Sequence, residues 1–234
     1  MFRLRIRLYC TLFTSKGSVT WLSKMSSTAD APTRHSSPGP GLSDSEAVLD
    51  RLRSGISSSL VENFEGHQFL PAGSFARLIT TESVAAAFPS AKPKLVEFIY
   101  DEASKLFATV LSCRAADKYL QQILETFRRE DFTDDYLPIP HPEELDIFKQ
   151  PPLDEINLSD FQEAQWKFLA PIFSTNEYSF NLNQRCPLPF KWVDGDAKSG
   201  SGTSRIEIHE DHQQLVSTVC FLKILSFVVA HPTD

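Results

Sequence analysis

Three glycines, Gly195, Gly200 and Gly202, lie in the loop D-G-D-A-K-S-G-S-G-T-S between an apolar strand at 190–193 and an alternating strand at 205–209. Glycine lets a backbone approach phosphate oxygens closely, and two flanking strands would hold such a loop as a flap. A second constellation follows it, His209-Glu210-Asp211-His212. H-x-x-H lacks the H-E-x-x-H pattern that sets two imidazoles on one helical face beside a general base. On a strand end, a spacing of three sends the two side chains to opposite faces, so a structural or surface role is expected of His209 and His212. His35, His67, His141 and His231 are isolated in turn-like contexts. Cys10, Cys113, Cys186 and Cys220 are widely separated, with no C-x-x-C and no zinc-like spacing. Cys113, inside an apolar helical run, reads as a small buried hydrophobe, and a reducing compartment fits this cysteine usage. There is no G-x-S-x-G and no cysteine beside a histidine. The residues therefore assign no catalytic group, no cofactor-binding residue and no metal ligand, and no enzyme is expected.

Charge narrows the partners. The net charge is −7, unevenly spread. Between Glu130 and Glu163, eleven carboxylates (Glu130, Asp131, Asp134, Asp135, Glu143, Glu144, Asp146, Asp154, Glu155, Asp160 and Glu163) meet only Lys149, leaving −10 there and +3 on the rest of the chain. Such a band repels phosphate backbones and argues against nucleic-acid binding; its plain reading is a solvated face and loop.

The chain of 234 residues, 41% hydrophobic with 18 Phe, can bury a real core in one or two modest domains. Residues 1–29 hold Arg3, Arg5, Arg7, Lys16 and Lys24 and no acid. Arginines at alternate positions spread around a helix, so 1–41 reads as a disordered or dispensable leader, with Met25 as a second candidate start. A mitochondrial presequence is the alternative, and a cytoplasmic or nuclear location is otherwise expected. At the other end, 216–230 is apolar but interrupted by Lys223 and too short to span a bilayer.

Helices must position whatever this chain presents. Ser43 with Glu46 makes a capping box for a helix over about 44–62, with Val48, Leu49, Leu52, Ile56 and Leu60 on one face. Phe69-Leu70-Pro71-Ala72-Gly73 reads as a turn into a short helix, and Thr81 as the cap of another that ends at Phe88-Pro89. Leu95, Phe98, Ile99, Ala103, Leu106, Phe107, Val110 and Leu111 recur at three- and four-residue steps over more than four turns, with a break expected after Arg114. Ala116, Tyr119, Leu120, Ile123, Leu124 and Phe127 continue the period. The proline-punctuated stretch 131–152 has room for one short helix at 143–148 and otherwise wraps the bundle through Phe132, Tyr136, Leu137, Ile139 and Phe148. Ser159 with Gln162 caps a last helix carrying Phe161, Ala164, Trp166, Phe168 and Leu169. Burial is expected to concentrate on Leu95, Phe98, Leu106, Phe107, Val110, Leu120, Ile123, Leu124 and Trp166.

The order F-L-P-A-G, an amphipathic helix with A-T-V-L, D-Y-L-P-I, Q-W-K-F-L-A-P-I-F, L-P-F, the glycine loop and I-E-I-H-E-D-H covers roughly 42–215. In this order the chain resembles the N-terminal region and first kinase strands of fungal protein-kinase-like proteins. The resemblance implies a helical domain ahead of a serine/threonine-kinase-type fold. There the glycine loop joins the first two strands, and a lysine on the third strand meets ATP phosphates. Lys223, in Cys220-Phe221-Leu222-Lys223, stands where that lysine would. The sequence departs from the pattern after Gly200-Ser-Gly202, where Thr203-Ser204-Arg205 replaces an aromatic and a valine. H-R-D, D-F-G and A-P-E are absent.

The expectation is a mainly α chain: a helical domain at 42–186, an incomplete kinase-like N-lobe segment of strands and glycine loop at 187–215, and an apolar tail at 216–234 without an evolved partner. On the resemblance, the chain is cut off before the catalytic motifs. Its expected role is that of a non-catalytic helical module, regulatory or protein-interacting, with a protein partner or a kinase domain as its target. The alternative is an ATP-binding serine/threonine protein kinase fragment. No cofactor, nucleic acid or membrane is expected.

Overall fold

A computed structural model of the protein describes residues 3–11, 44–113, 118–173, 179–194, 203–214 and 221–225. The architecture is mainly α, with a five-stranded sheet at one side. The helices are α1 (Asp44–Ser59), α2 (Ala72–Leu78), α3 (Thr81–Ala87), α4 (Pro93–Asp101), α5 (Ser104–Ser112), α6 (Leu120–Arg129) and α7 (Leu158–Ala164). The centre of the core is α5. Leu106 to Leu111 are all buried, and α1, α4, α6 and α7 pack around them. A helix buried on every side must be apolar all round, and K-L-F-A-T-V-L-S meets that demand by turning Thr109 Oγ1 and Ser112 Oγ back onto the carbonyls of Lys105 and Ala108. Leu95, Phe98, Leu106, Phe107, Val110, Leu120, Ile123, Leu124 and Trp166 are all buried, as their spacing predicts.

The long periodic run is two helices, not one. The break falls at Glu102 and Ala103, ahead of the expected break after Arg114, a position outside the described residues. No proline or glycine causes it. Asp134, from the wrapping segment, accepts the amides of Lys105 and Leu106 at 2.9 Å, and its own amide donates to Glu102 O at 2.8 Å. A distant carboxylate therefore caps α5, so only ten of the eleven band carboxylates remain for solvent. Burial pushes the Asp134 carboxyl above its ordinary range, and the two amide bonds pull it back.

Other caps differ from the sequence reading by small shifts. Ser43 is outside the described residues. Thr80, not Thr81, caps α3, in a reciprocal box with Ser83. Asn157, not Ser159, caps α7 by accepting from the amides of Ser159 and Asp160. An Asn at the cap competes well with Ser, and the sequence offered both.

Residues 131–157 wrap the bundle without a helix. The helix expected at 143–148 is replaced by two 3-10 turns, Pro142–Glu144 and Asp146–Lys149, with Leu145 in extended conformation between them. Phe132, Ile139 and Phe148 are buried anchors, Leu137 is half-buried, and Tyr136 is 54% exposed, stacked on Phe132 at 4.4 Å. The wrap begins at a Schellman turn closing α6. Asp131 holds φ 52°, the Phe132 amide donates to Phe127 O at 2.8 Å, and the two rings stack at 5.2 Å.

The strands are β1 (Arg3–Thr11), β2 (Val61–Glu62), β3 (Gln68–Phe69), β4 (Ser179–Asn183), β5 (Phe190–Asp194), β6 (Thr203–Ile208) and β7 (Phe221–Leu225). The larger sheet has the order β4-β1-β7-β6-β5, its described pairings all antiparallel. The expected hairpin is present as β5 and β6; its three glycines lie outside the described residues. Most of the leader at 1–41 also lies outside them, but Arg3–Thr11 is a strand, since R-L-R-I-R-L alternates with the period of two that a strand requires. The apolar tail, expected to find no partner, supplies β7, which pairs with β1 on one side and β6 on the other. Phe221-Leu222-Lys223-Ile224-Leu225 is rich in strand-forming residues, which outweighs its lack of resemblance to anything upstream. Residues 215–220 and 226–234 lie outside the described residues.

Two substitutions test this account. Asp134→Ala should cost about 1–2 kcal/mol in chemical denaturation by uncapping α5, with Asp134→Asn intermediate, since an amide nitrogen then stands where one of the two accepting carboxylate oxygens was. Asp131→Gly should raise stability by about 1 kcal/mol, because the left-handed backbone that Asp131 holds suits glycine.

Candidate functional site

The sequence motifs converge where the β5–β6 hairpin meets the helices. The β2–β3 turn prepares one side. Asn63, 5% exposed, accepts the amides of Glu65 and His67 on Oδ1 and donates from Nδ2 to Leu188 O at 3.0 Å. Gly66, at φ +80°, completes that turn. The Phe64 amide then donates to Phe190 O, and the two rings stack at 6.2 Å. Phe190 stacks in turn on Phe173, so three aromatic rings tie the start of β5 to the helical side.

The end of β6 is held by the pair His209 and His212. A 3-10 turn, Glu210–His212, follows the strand and curls the chain, so both rings meet Phe69 edge-on, at 5.8 and 5.2 Å. Spacing three on a strand would have separated them; on this turn they come together, ring centroids 6.0 Å apart. This corrects the opposite-face expectation: both rings are buried and hydrogen-bonded. His209 Nδ1 accepts the Asp211 amide. His212 Nδ1 meets Pro171 O at 2.9 Å and Nε2 accepts the Ala72 amide at 3.1 Å. Burial holds the His212 ring below its ordinary value of 6.5; the Pro171 carbonyl pulls it up, His209 pushes it down and Asp211 raises it. Asp211 sits over Gly73, where a Cβ would lie 2.7 Å from its carboxylate oxygen.

Beside this junction, the Lys167 carbonyl accepts the Leu70 amide, and Phe173 exchanges backbone bonds with His212 and Gln214. Trp166 is buried here rather than in the central cluster, with the Arg185 guanidinium 5.4 Å above its ring and Arg185 paired to Glu163. Its indole Nε1 is buried without a partner. F-L-P-A-G, Q-W-K-F-L-A-P-I-F and I-E-I-H-E-D-H thus meet in one place, though the first ends at Gly73 and the next begins only at Gln165.

The chemistry this arrangement can perform is limited. Burial pushes the Cys113 and Cys186 thiols up to about 12, so neither is a thiolate nucleophile near neutrality. Cys186 Sγ donates to Leu169 O and Cys113 Sγ to Thr109 O. Cys10 lies in β1, and Cys220 lies outside the described residues. His67 and His141 are exposed beside Glu65 and Glu143, and His35 and His231 lie outside the described residues. Among the described residues no group of three or more His, Cys, Asp or Glu could hold a metal, and no helix is long and apolar enough to cross a membrane. Asn63 and Gly73 are the junction residues the sequence reading missed; N-F-E-G, a turn signal before the short strand of Phe69, was the available clue to Asn63.

Gly73→Ala should be neutral to within about 1 kcal/mol, because displacing the Asp211 carboxylate offsets the better helix propensity of alanine in α2, and it should turn stabilising by about 1 kcal/mol in an Asp211→Ala background. A double-mutant cycle in urea measures the coupling.

Compared with protein-family models, with curated proteins and with solved structures, this chain matches none.

Proposed function

We propose that this chain is a non-catalytic helical module of fungal protein-kinase-like type, which carries a glycine-loop hairpin on its flank and acts through a protein partner or a kinase domain. The observation that carries this reading is the convergence of the three motif segments on Phe69, Pro171, His209 and His212. Those segments are the ones on which the resemblance rests, and a module built to hold a hairpin needs them in contact. Two further points support a scaffold rather than a catalyst. His209 Nδ1 and both ring nitrogens of His212 are committed to backbone, and the sequence contains no H-R-D, D-F-G or A-P-E to supply a base and metal ligands. A cytoplasmic or nuclear location, with mitochondrial import as the alternative, belongs to the same proposal.

One observation favours the second reading, an ATP-binding kinase fragment. The strands β5, β6 and β7 form an antiparallel meander, and Lys223 on the third strand stands in register with Arg205 on the second. That is the backbone placement the resemblance asks of an ATP-contacting lysine.

Calorimetry with millimolar Mg-ATP separates the two. The scaffold reading expects no saturable heat and no phosphate transfer to a generic protein substrate. A dissociation constant in the low micromolar range, lost on Gly202→Val, would establish the ATP-binding reading in its place.

A further inference from the structure

His212 closes the junction with both of its ring nitrogens. Nδ1 faces a carbonyl, Pro171 O, which can only accept, so Nδ1 carries the proton. Nε2 faces an amide, Ala72 N–H, which can only donate, so Nε2 carries none. A neutral ring in one tautomer is the state that makes both bonds. The Ala72 amide is also the first of α2, and Pro71 before it supplies no side-chain cap, so His212 fills that place. A second ring proton would set N–H against N–H in a site 2% exposed, with Phe69 edge-on to the ring.

We propose that His212 is a pH-sensitive latch: when neutral it ties the β6 end of the hairpin to α2 and to the segment at Pro171, and protonation frees that end while Asn63 keeps the start of β5 attached. The fixed point is independent of the latch, because Asn63 Nδ2 to Leu188 O and the Phe64 amide to Phe190 O involve no titrating group. The bonds at risk are those around the turn: Ala72 to His212, Phe173 to His212 O and Gln214 to Phe173 O.

The groups that face the ring decide the direction. From its own turn come His209, which disfavours a cation, and Asp211, which favours one. Toward it α2 presents the Ala72 amide, β3 presents the uncharged Phe69, the Leu70 backbone beside it favours a cation, and the segment before β4 presents the Pro171 carbonyl, which favours one too. Burial outweighs the favourable terms and holds the folded value below the ordinary 6.5. A histidine lowered on docking leaves the docked state fully favoured above about 6.5 and weakens it as pH falls toward the lowered value, because the freed ring takes the proton.

Hydrogen exchange on the whole chain between about pH 7.5 and pH 5.5, corrected for intrinsic rates, reads the latch directly. The amides of Ala72, Phe173 and Gln214 should lose up to about tenfold of protection relative to Phe107 and Val110 in α5, with Phe64 unchanged. Carbon-13 NMR should show the His212 ring titrating below the ordinary histidine range, with the exchange change setting in as pH falls toward that titration. The loss should disappear in His212→Gln and persist in His209→Gln. Protection of the three amides that follows α5 across the interval would overturn the proposal, as would a loss that survives His212→Gln. Should His212→Gln fail to fold, the wild-type ring titration decides: coincidence with the exchange change supports the latch, and a His212 that titrates with no such change sinks it.

Discussion

A stretch that bonds to itself only through short 3-10 turns dictates much of this fold. Between α6 and α7 the chain carries Pro138, Pro140, Pro142, Pro151 and Pro152 and forms isolated 3-10 turns, which leave part of its backbone to be satisfied from elsewhere. Side chains of the bundle supply the partners. Gln165, fully buried, accepts the Ile139 amide at 2.7 Å and donates to the Ile139 carbonyl at 2.8 Å, as a neighbouring strand would. Gln162 reaches the Pro140 carbonyl, and the wrap returns the favour by sending Asp134 to cap α5. Once those bonds are made, Phe132, Phe148 and Phe161 can close a ring-to-ring cluster over Phe127. The packing needs the polar bonds first, because an unpaired amide buried beneath those rings would cost about 1–3 kcal/mol.

The same segment explains how so acidic a stretch stays on a folded surface. Its carboxylates repel one another, and its visible ion pairs, such as Lys149 with Asp146, are exposed and contribute little. Apolar anchors hold it down instead, and Asp134 is turned to a task inside. The band is therefore a covering whose attachment is hydrophobic and whose outer face is charge.

Helix existence and core identity were legible because periodicity reports them directly. The apolar positions of α4, α5 and α6 have the right spacing whatever breaks the chain between them. The break itself was not legible, since it is imposed by Asp134, some thirty residues onward and without local signal at Glu102 or Ala103. Caps shifted by one or two residues for a related reason: Thr80 and Thr81, or Asn157 and Ser159, are chemically near-equal competitors, and tertiary packing chooses. The geometry of the histidine pair differs from the one its spacing implies on a strand, because a 3-10 turn stands where a strand end was expected. The tail misled for the opposite reason. Its composition already said strand, and the absence of resemblance was given more weight than local propensity.

Three contacts that no sequence pattern announces share a physical cause that also bears on the junction. In each, a single polar side chain reaches a backbone group far away along the chain: Asp134 to α5, Asn63 to Leu188, His212 to Ala72 and Pro171. Such bonds carry no periodicity, so no pattern announces them, yet they set where elements begin and how they dock. They also differ in what can undo them. The Asn63 bonds have no titrating partner and are fixed at all ordinary pH, and the Asp134 cap is held on two amides at once. The His212 contact requires a neutral ring. A hairpin attached at its β5 end through an amide and at its β6 end through an imidazole has one permanent hinge and one conditional clasp, and that asymmetry follows from the residue types alone.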